Sequence, residues 1–191
     1  MKILAFTGAG ISKQSNIPTF MERPEVREKL HRSYAKAHPE EYNAVIRELK
    51  ACVQQAQPND AHIALAEYGI PIITMNIDGL HTLAGSTKVL ELHGGLPDDE
   101  QLDQAYQLQN KPVLYGDPAP NYEKAYDWVD SMNMGDIFLV VGCSYHTAIA
   151  ADLRQIARYA GAEIVEIQED AAHNVRKFLA KELGAAPEKL Y

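Results

Sequence analysis

The sequence predicts an α/β domain built on a doubly wound, mostly parallel sheet. Three observations carry that expectation. Short stretches are apolar throughout rather than alternating, as strands buried on both faces are. Stretches with helical apolar spacing lie between them. Polar residues gather where the strands run out, and a doubly wound sheet binds its ligands beyond the carboxyl ends of its strands.

Taken in order, KILAF (2–6) is the first strand. Residues 19 to about 57 hold far more chain than one crossover helix needs, which predicts a helical insertion forming a reduced small subdomain. Within it Val45, Leu49 and Val53 recur at four-residue steps and give a helix over 40–54 one apolar face. Asn59 is a cap for a helix running to Glu67. PIIT (71–74) and KVLEL (88–92) are the next strands, and residues 94–111 are polar and read as a loop with a short helix. PVLY (112–115), DIFLVV (136–141) and EIVEI (163–167) complete the strand set. Helices are expected over 122–132, 148–159 and 171–183, with Gly161 and Gly184 at the usual stop positions. Right-handed crossovers join these elements into one domain over residues 1–191.

Composition narrows the function. The net charge is −8 and Lys and Arg are scattered, so the basic footprint that nucleic acid requires is missing. No apolar run nears the roughly 20 residues of a membrane span. The leading MKILAFTGAGIS is too short in its apolar part for a signal-peptide core, which predicts a cytoplasmic protein. Cys52 and Cys143 lie far apart and outside any CxxC pair. They read as buried free thiols, with no metal site and no zinc expected.

Candidate ligand groups fall at strand ends. After the first strand, Gly8, Ala9 and Gly10 form a G-x-G turn, but Lys13 stands where a third glycine would complete the dinucleotide fingerprint. Such a turn is either a plain tight turn or a place where backbone N–H groups approach a pyrophosphate. A helix N-terminus beyond it would favour the anion. Gly142, Ser144 and Thr147 follow DIFLVV, and Gln168, Glu169 and Asp170 follow the last strand. Each has a plain reading as a helix cap, and together they favour a nucleotide. PIIT runs into Asn76, Ile77 and Asp78, with His81 one turn on; Asp78 also reads as a helix cap and His81 as a packing histidine. His93 ends KVLEL ahead of Gly94 and Gly95, where a neutral imidazole can accept a proton.

The string GAGIS…IPTF…NIDGLH…AGS…ELHG…YGD…VVGCS resembles the sirtuin family in order and spacing, over Ile3 to about Asp170. The resemblance implies a Rossmann-like fold and a NAD-dependent protein-lysine deacylase that consumes NAD as co-substrate and releases nicotinamide. Ala9, Gly10 and Ser144 would hold the phosphates and the adenine-side ribose. Asn76 would order the nicotinamide ribose and a water. Ile77 and Asp78 would take the carboxamide, and His93 would be the general base on a ribose hydroxyl. The partners implied are NAD and an acylated-lysine protein or peptide.

The sequence departs from the family at four places. Met21 stands where an Arg is common, Met75 replaces a Gln, residues 94–111 lack the four zinc cysteines, and Gln168 stands for an Asn. These departures keep two alternatives open: NAD glycohydrolysis or ADP-ribosyl transfer, and a non-catalytic module binding NAD or ADP-ribose. Tyr34 and Arg32 lie in the region where acid-acyl selective members place a Tyr and an Arg, at a different spacing.

Overall fold

The computed structural model describes residues 1–18 and 22–186. Its centre is a sheet of parallel strands β1 (Ile3–Thr7), β2 (Ile72–Thr74), β3 (Val89–Glu91), β4 (Ile137–Val141) and β5 (Glu163–Ile167). The order is β3-β2-β1-β4-β5. The chain therefore winds outward one way from β1 and then the other, and the switch point lies between the carboxyl ends of β1 and β4.

Alternation along the strands explains the layers. Leu4 and Phe6 of β1 join Phe138 and Val140 of β4 on one face, where Phe6 and Phe138 stack at 5.9 Å. Ile3 and Ala5 join Leu139 and Val141 on the other. Helices α6 (Tyr122–Asp130) and α7 (Ala148–Tyr159) cover the first face; α4 (Asp60–Glu67) and α8 (Ala171–Leu183) cover the second. The Asn59 side chain accepts the Ala61 N–H and caps α4. Thr147 caps α7 in the same way through the Ala150 N–H. β5 is an outer strand, and Glu163 and Glu166 on it discourage edge pairing.

Helices α1 (Pro24–Lys29), α2 (Arg32–Ala37) and α3 (Pro39–Gln55) stand apart from the sheet. They share an apolar cluster with a 3₁₀ segment, Asp99–Gln107, through Val26, Ala35, Tyr42, Ile46 and Ala105. Leu114 belongs to that cluster too. This corrects one expectation: PVLY is not a strand of the sheet. Its apolar character serves the helical cluster. Its backbone is held by His93, whose carbonyl accepts the Val113 N–H, and by an isolated bridge from Tyr115 to His31. Among the described residues no helix is long and apolar enough to cross a membrane.

Candidate active site

The two strand ends at the switch point interlock. Gly8 N–H donates to the Val141 carbonyl and Gly10 N–H to the Gly142 carbonyl. A Cβ on Gly10 would lie 2.6 Å from Gly142 Cα. One on Gly142, whose φ is +58°, would lie 2.3 Å from Ile11 N. The glycines are therefore required for one loop to lie against the other. The N–H groups of Gly8 and Gly10 are engaged within the protein, so this pair shapes a cradle rather than lending those donors to an anion. Ala9 begins the 3₁₀ segment Ala9–Ser15 and lines the adjoining pocket.

The loop after β4 is braced from beneath. Gln168 takes the Cys143 N–H on Oε1 (3.0 Å) and gives Nε2–H to the Cys143 carbonyl (3.1 Å), so its amide is turned to the backbone. Arg154, wholly buried, donates to the same carbonyl at 2.7 Å and to Glu166 at 2.9 Å, with the Tyr145 ring 3.8 Å over its guanidinium. Burial works to raise the Glu166 carboxyl, and hydrogen bonds from Tyr145, Arg154 and Gln168 outweigh it and hold it below the usual range. Ser144 is left exposed at the tip. Cys143 is buried, which pushes its thiol up to about 12; Cys52, expected buried, is only half-buried because it lines the pocket from α3.

Beyond β2 the polar groups converge on Ser12. The Asn59 N–H reaches His62 Nδ1, so the His62 proton is on Nε2, facing Ser12 Oγ at 3.4 Å. Asn76 Nδ2–H donates to that oxygen at 3.2 Å, and the hydroxyl donates to Asp78 Oδ2 at 2.7 Å. Ser12 thus fixes both Asn76 and Asp78. The other Asp78 oxygen accepts the Leu80 N–H at the start of α5 (Leu80–Leu83), whose cap position is Gly79 rather than Asp78, and the side chain also lines the pocket. His81 turns inward, with Nε2 2.9 Å from Thr7 Oγ1, and packs on His62 at 4.9 Å between ring centres. Burial pushes His62 down to about 4 and His81 down to about 3, so both are neutral near pH 7.

His93 follows β3. The Met75 carbonyl, 3.0 Å from Nδ1, can only accept, so the proton sits on Nδ1 and Nε2 carries a bare lone pair. The Tyr122 hydroxyl lies 3.0 Å from Nε2. Burial lowers the His93 pKa, and the Met75 hydrogen bond acts in the other direction.

A pocket joins the sheet to the helical cluster, with Ala9, Ser12, Asn76, Ile77 and Asp78 on one wall and Arg23 and Cys52 on the other. The sequence-predicted residues Asn76, Ile77 and Asp78 meet here. His93 stands beside them through the Met75 backbone, while Gly142 lies against Gly10 at the switch point, and Ser144 and Gln168 follow β4 and β5 outside the pocket lining. Met21 lies outside the described residues. Met75 turns its side chain to the core, with Sδ 3.5 Å from Thr147 Oγ1. Its carbonyl, which any residue would supply, is the part that serves His93. Arg32 grips Asp117 and the carbonyls of Tyr106 and Leu108, and Tyr34 donates to Glu41, so neither is directed at an acyl group. Residues 94–111 hold no cysteine, so a four-cysteine site has no ligands there; among the described residues no group of three or more His, Cys, Asp or Glu side chains is placed to hold a metal. Ser12, His62, Tyr122 and Arg154 also serve the site, and of these only Ser12, inside GAGIS, carries a signal in the sequence.

A 3-2-1-4-5 parallel sheet with an imidazole and an amide–carboxylate pair beyond adjacent strands defines a nucleotide-binding enzyme of the doubly wound class. The chain belongs to the Sir2 family: the family model matches residues 8–111. It is 32% identical to NAD-dependent protein deacylase 2 of Archaeoglobus fulgidus, over 98% of this chain and 87% of the relative. It is 34% identical to a NAD-dependent protein deacetylase of Clostridium tetani, over 92% and 85%. The first alignment runs over 223 positions for a chain of 191 residues, so the relative carries segments that this chain lacks. Among solved structures, a Sir2–p53 peptide–NAD+ complex matches with a TM-score of 0.79 at 25% identity, over 95% of this chain and 93% of that one. A Sir2 complex with the inhibitor EX-527, 2'-O-acetyl-ADP-ribose and deacetylated p53 peptide matches with a TM-score of 0.78 at 26% identity, over 96% and 95%.

Proposed function

We propose that the chain is a NAD-dependent protein-lysine deacylase that consumes NAD and releases nicotinamide. One observation carries the reading: His93 is held with Nδ1 protonated and Nε2 unprotonated, beside a hydrogen-bonded Asn76–Ser12–Asp78 array. A neutral imidazole in that state can remove a proton from a ribose hydroxyl. Asp78 and the Ile77 backbone hold the nicotinamide carboxamide. Asn76 orients the ribose and a water, with its amide fixed by Ser12. Ala9 and Ser144 face the phosphates and the adenine-side ribose, and Gly10, Gly142 and Gln168 shape that cradle. Fixed dipoles around the reacting carbon favour the positive charge that develops as nicotinamide leaves. The acyl-lysine carbonyl oxygen bonds to the ribose carbon as nicotinamide leaves; His93 takes the proton of a ribose hydroxyl, which adds to the acyl carbon, and expulsion of the lysine amine with uptake of one water leaves an acyl-ADP-ribose and a free lysine.

The test is nicotinamide release from NAD with and without a set of acyl-lysine peptides, alongside His93→Ala. Release that needs peptide, and falls at least about a hundredfold in the variant, is the expected outcome. Release without peptide would instead assign glycohydrolysis or ADP-ribosyl transfer. Binding of NAD with no release would assign a binding module.

A further inference from the structure

The Nε2 lone pair is the one place on the neutral His93 ring that can take a proton, and in this structure it already has a donor. The Tyr122 hydroxyl lies 3.0 Å away. A bare imidazole nitrogen can only accept, so the phenol donates. Burial raises the Tyr122 pKa further, which keeps it a donor at neutral pH. The contact is built in. Tyr122 is the first residue of α6, and its ring lies on the sheet-face cluster of Phe6, Leu90 and Phe138. Asn121, just before it, donates Nδ2–H at 2.7 Å to the carbonyl of Glu91, two residues ahead of the base. Strand end and helix start are thereby tied together, one bond locating the helix and the other the phenol.

We propose that Tyr122 caps the general base: its hydroxyl occupies His93 Nε2 in the unliganded enzyme and yields that position to the substrate hydroxyl. The cap holds the ring in its productive tautomer while keeping the lone pair from water and electrophiles. Tyr122 is a positioning residue, since it acts through His93. The identity of the displacing hydroxyl as ribose rests on the proposed function; the occupation of Nε2 does not.

Diethyl pyrocarbonate, which acylates unprotonated imidazole nitrogen, tests the cap without reference to turnover. Labelling of each histidine is followed by mass spectrometry in wild type and in Tyr122→Phe, which keeps the ring and removes the hydroxyl. His93 should label about tenfold faster in the variant, the factor that one hydrogen bond on the reacting atom is worth. The exposed His146 and His173 should keep their rates. Asn121→Ala, which frees the start of α6, should give a smaller acceleration and serves if the Phe variant does not fold. Equal His93 labelling in wild type and variants would overturn the proposal. If wild type labels as expected yet releases no nicotinamide with any peptide, the deacylase reading fails and the cap on Nε2 stands.

Discussion

Arg32 and Asp117 face each other fork to fork, with Nε and Nη2 each 2.7 Å from a different carboxylate oxygen. The same guanidinium donates to the carbonyls of Tyr106 and Leu108. One side chain from α2 thus gathers the end of the 3₁₀ segment and the turn after it, in a region that has no cysteines to bind metal. Arg32→Ala should destabilise the protein by about 3 kcal/mol, because it leaves the Asp117 carboxylate with only the Leu114 N–H and strands two carbonyls. Arg32→Lys should recover little, since an ammonium cannot fill the fork. Urea unfolding of the two variants measures this, and full recovery by Lys would show that charge alone is at work.

Ser12→Ala tests the array beyond β2. It removes the donor to Asp78 and the acceptor for Asn76 and His62. Buried polar groups left unpaired cost about 1–3 kcal/mol each, so kcat/KM for NAD should fall roughly ten- to hundredfold. Steady-state nicotinamide release at varied NAD measures it. Ser12→Thr keeps the hydroxyl and should retain more activity if the hydroxyl is what matters.

Gly10→Ala should be strongly destabilising although Gly10 needs no left-handed backbone. Its Cβ would meet Gly142 Cα at 2.6 Å and Gly142 O at 2.9 Å, backbone atoms that cannot swing aside. Overpacking of this kind costs about 1–3 kcal/mol or more. By contrast Gly135→Ala meets no atom within 4 Å, and only its φ of +88° opposes the change. Thermal unfolding should rank Gly10→Ala well below Gly135→Ala.

Acid should unfold the protein through its buried imidazoles. His62 and His81 have folded pKa values near 4 and 3, below the unfolded value of about 6.5. The unfolded chain therefore binds more protons in that window, and stability rises with pH there. It is fully present above pH 6.5 and is lost as pH falls, at up to about 1.4 kcal/mol per pH unit for each histidine. The loss ends near pH 4 for His62 and near pH 3 for His81. His81→Gln should flatten the slope of unfolding free energy between pH 6 and 4; an unchanged slope would remove His81 from the account.

The sheet was legible because buried parallel strands are apolar throughout, and because a capping residue such as Asn59 announces its helix; Thr147, grouped with the nucleotide-facing donors, instead caps α7. PVLY misled because apolar residues such as Leu114 serve a helical cluster equally well. At the site, Asn76, Asp78 and His93 were visible as polar groups where apolar strands stop. Ser12, His62, Tyr122 and Arg154 were not, since their roles depend on partners brought in by the fold: Ser12 meets Asp78 across 66 positions and Tyr122 meets His93 across 29. Met75 shows the converse. Its side chain differs from the family's, while the atom that meets His93 is a carbonyl common to all residues.

The position of β1 has a consequence for the order of synthesis. It is made before the other strands, yet it lies in the middle of the sheet, between β2 and β4. Its partner β4 begins at Ile137, so a ribosome must deliver well over a hundred further residues before that edge can close. Until then Ile3 to Thr7, apolar on both faces, present an open row of backbone donors and acceptors. The first strand made therefore waits longest for its second partner, and the glycine interlock at the switch point, which needs Gly142, forms only after β4 is delivered.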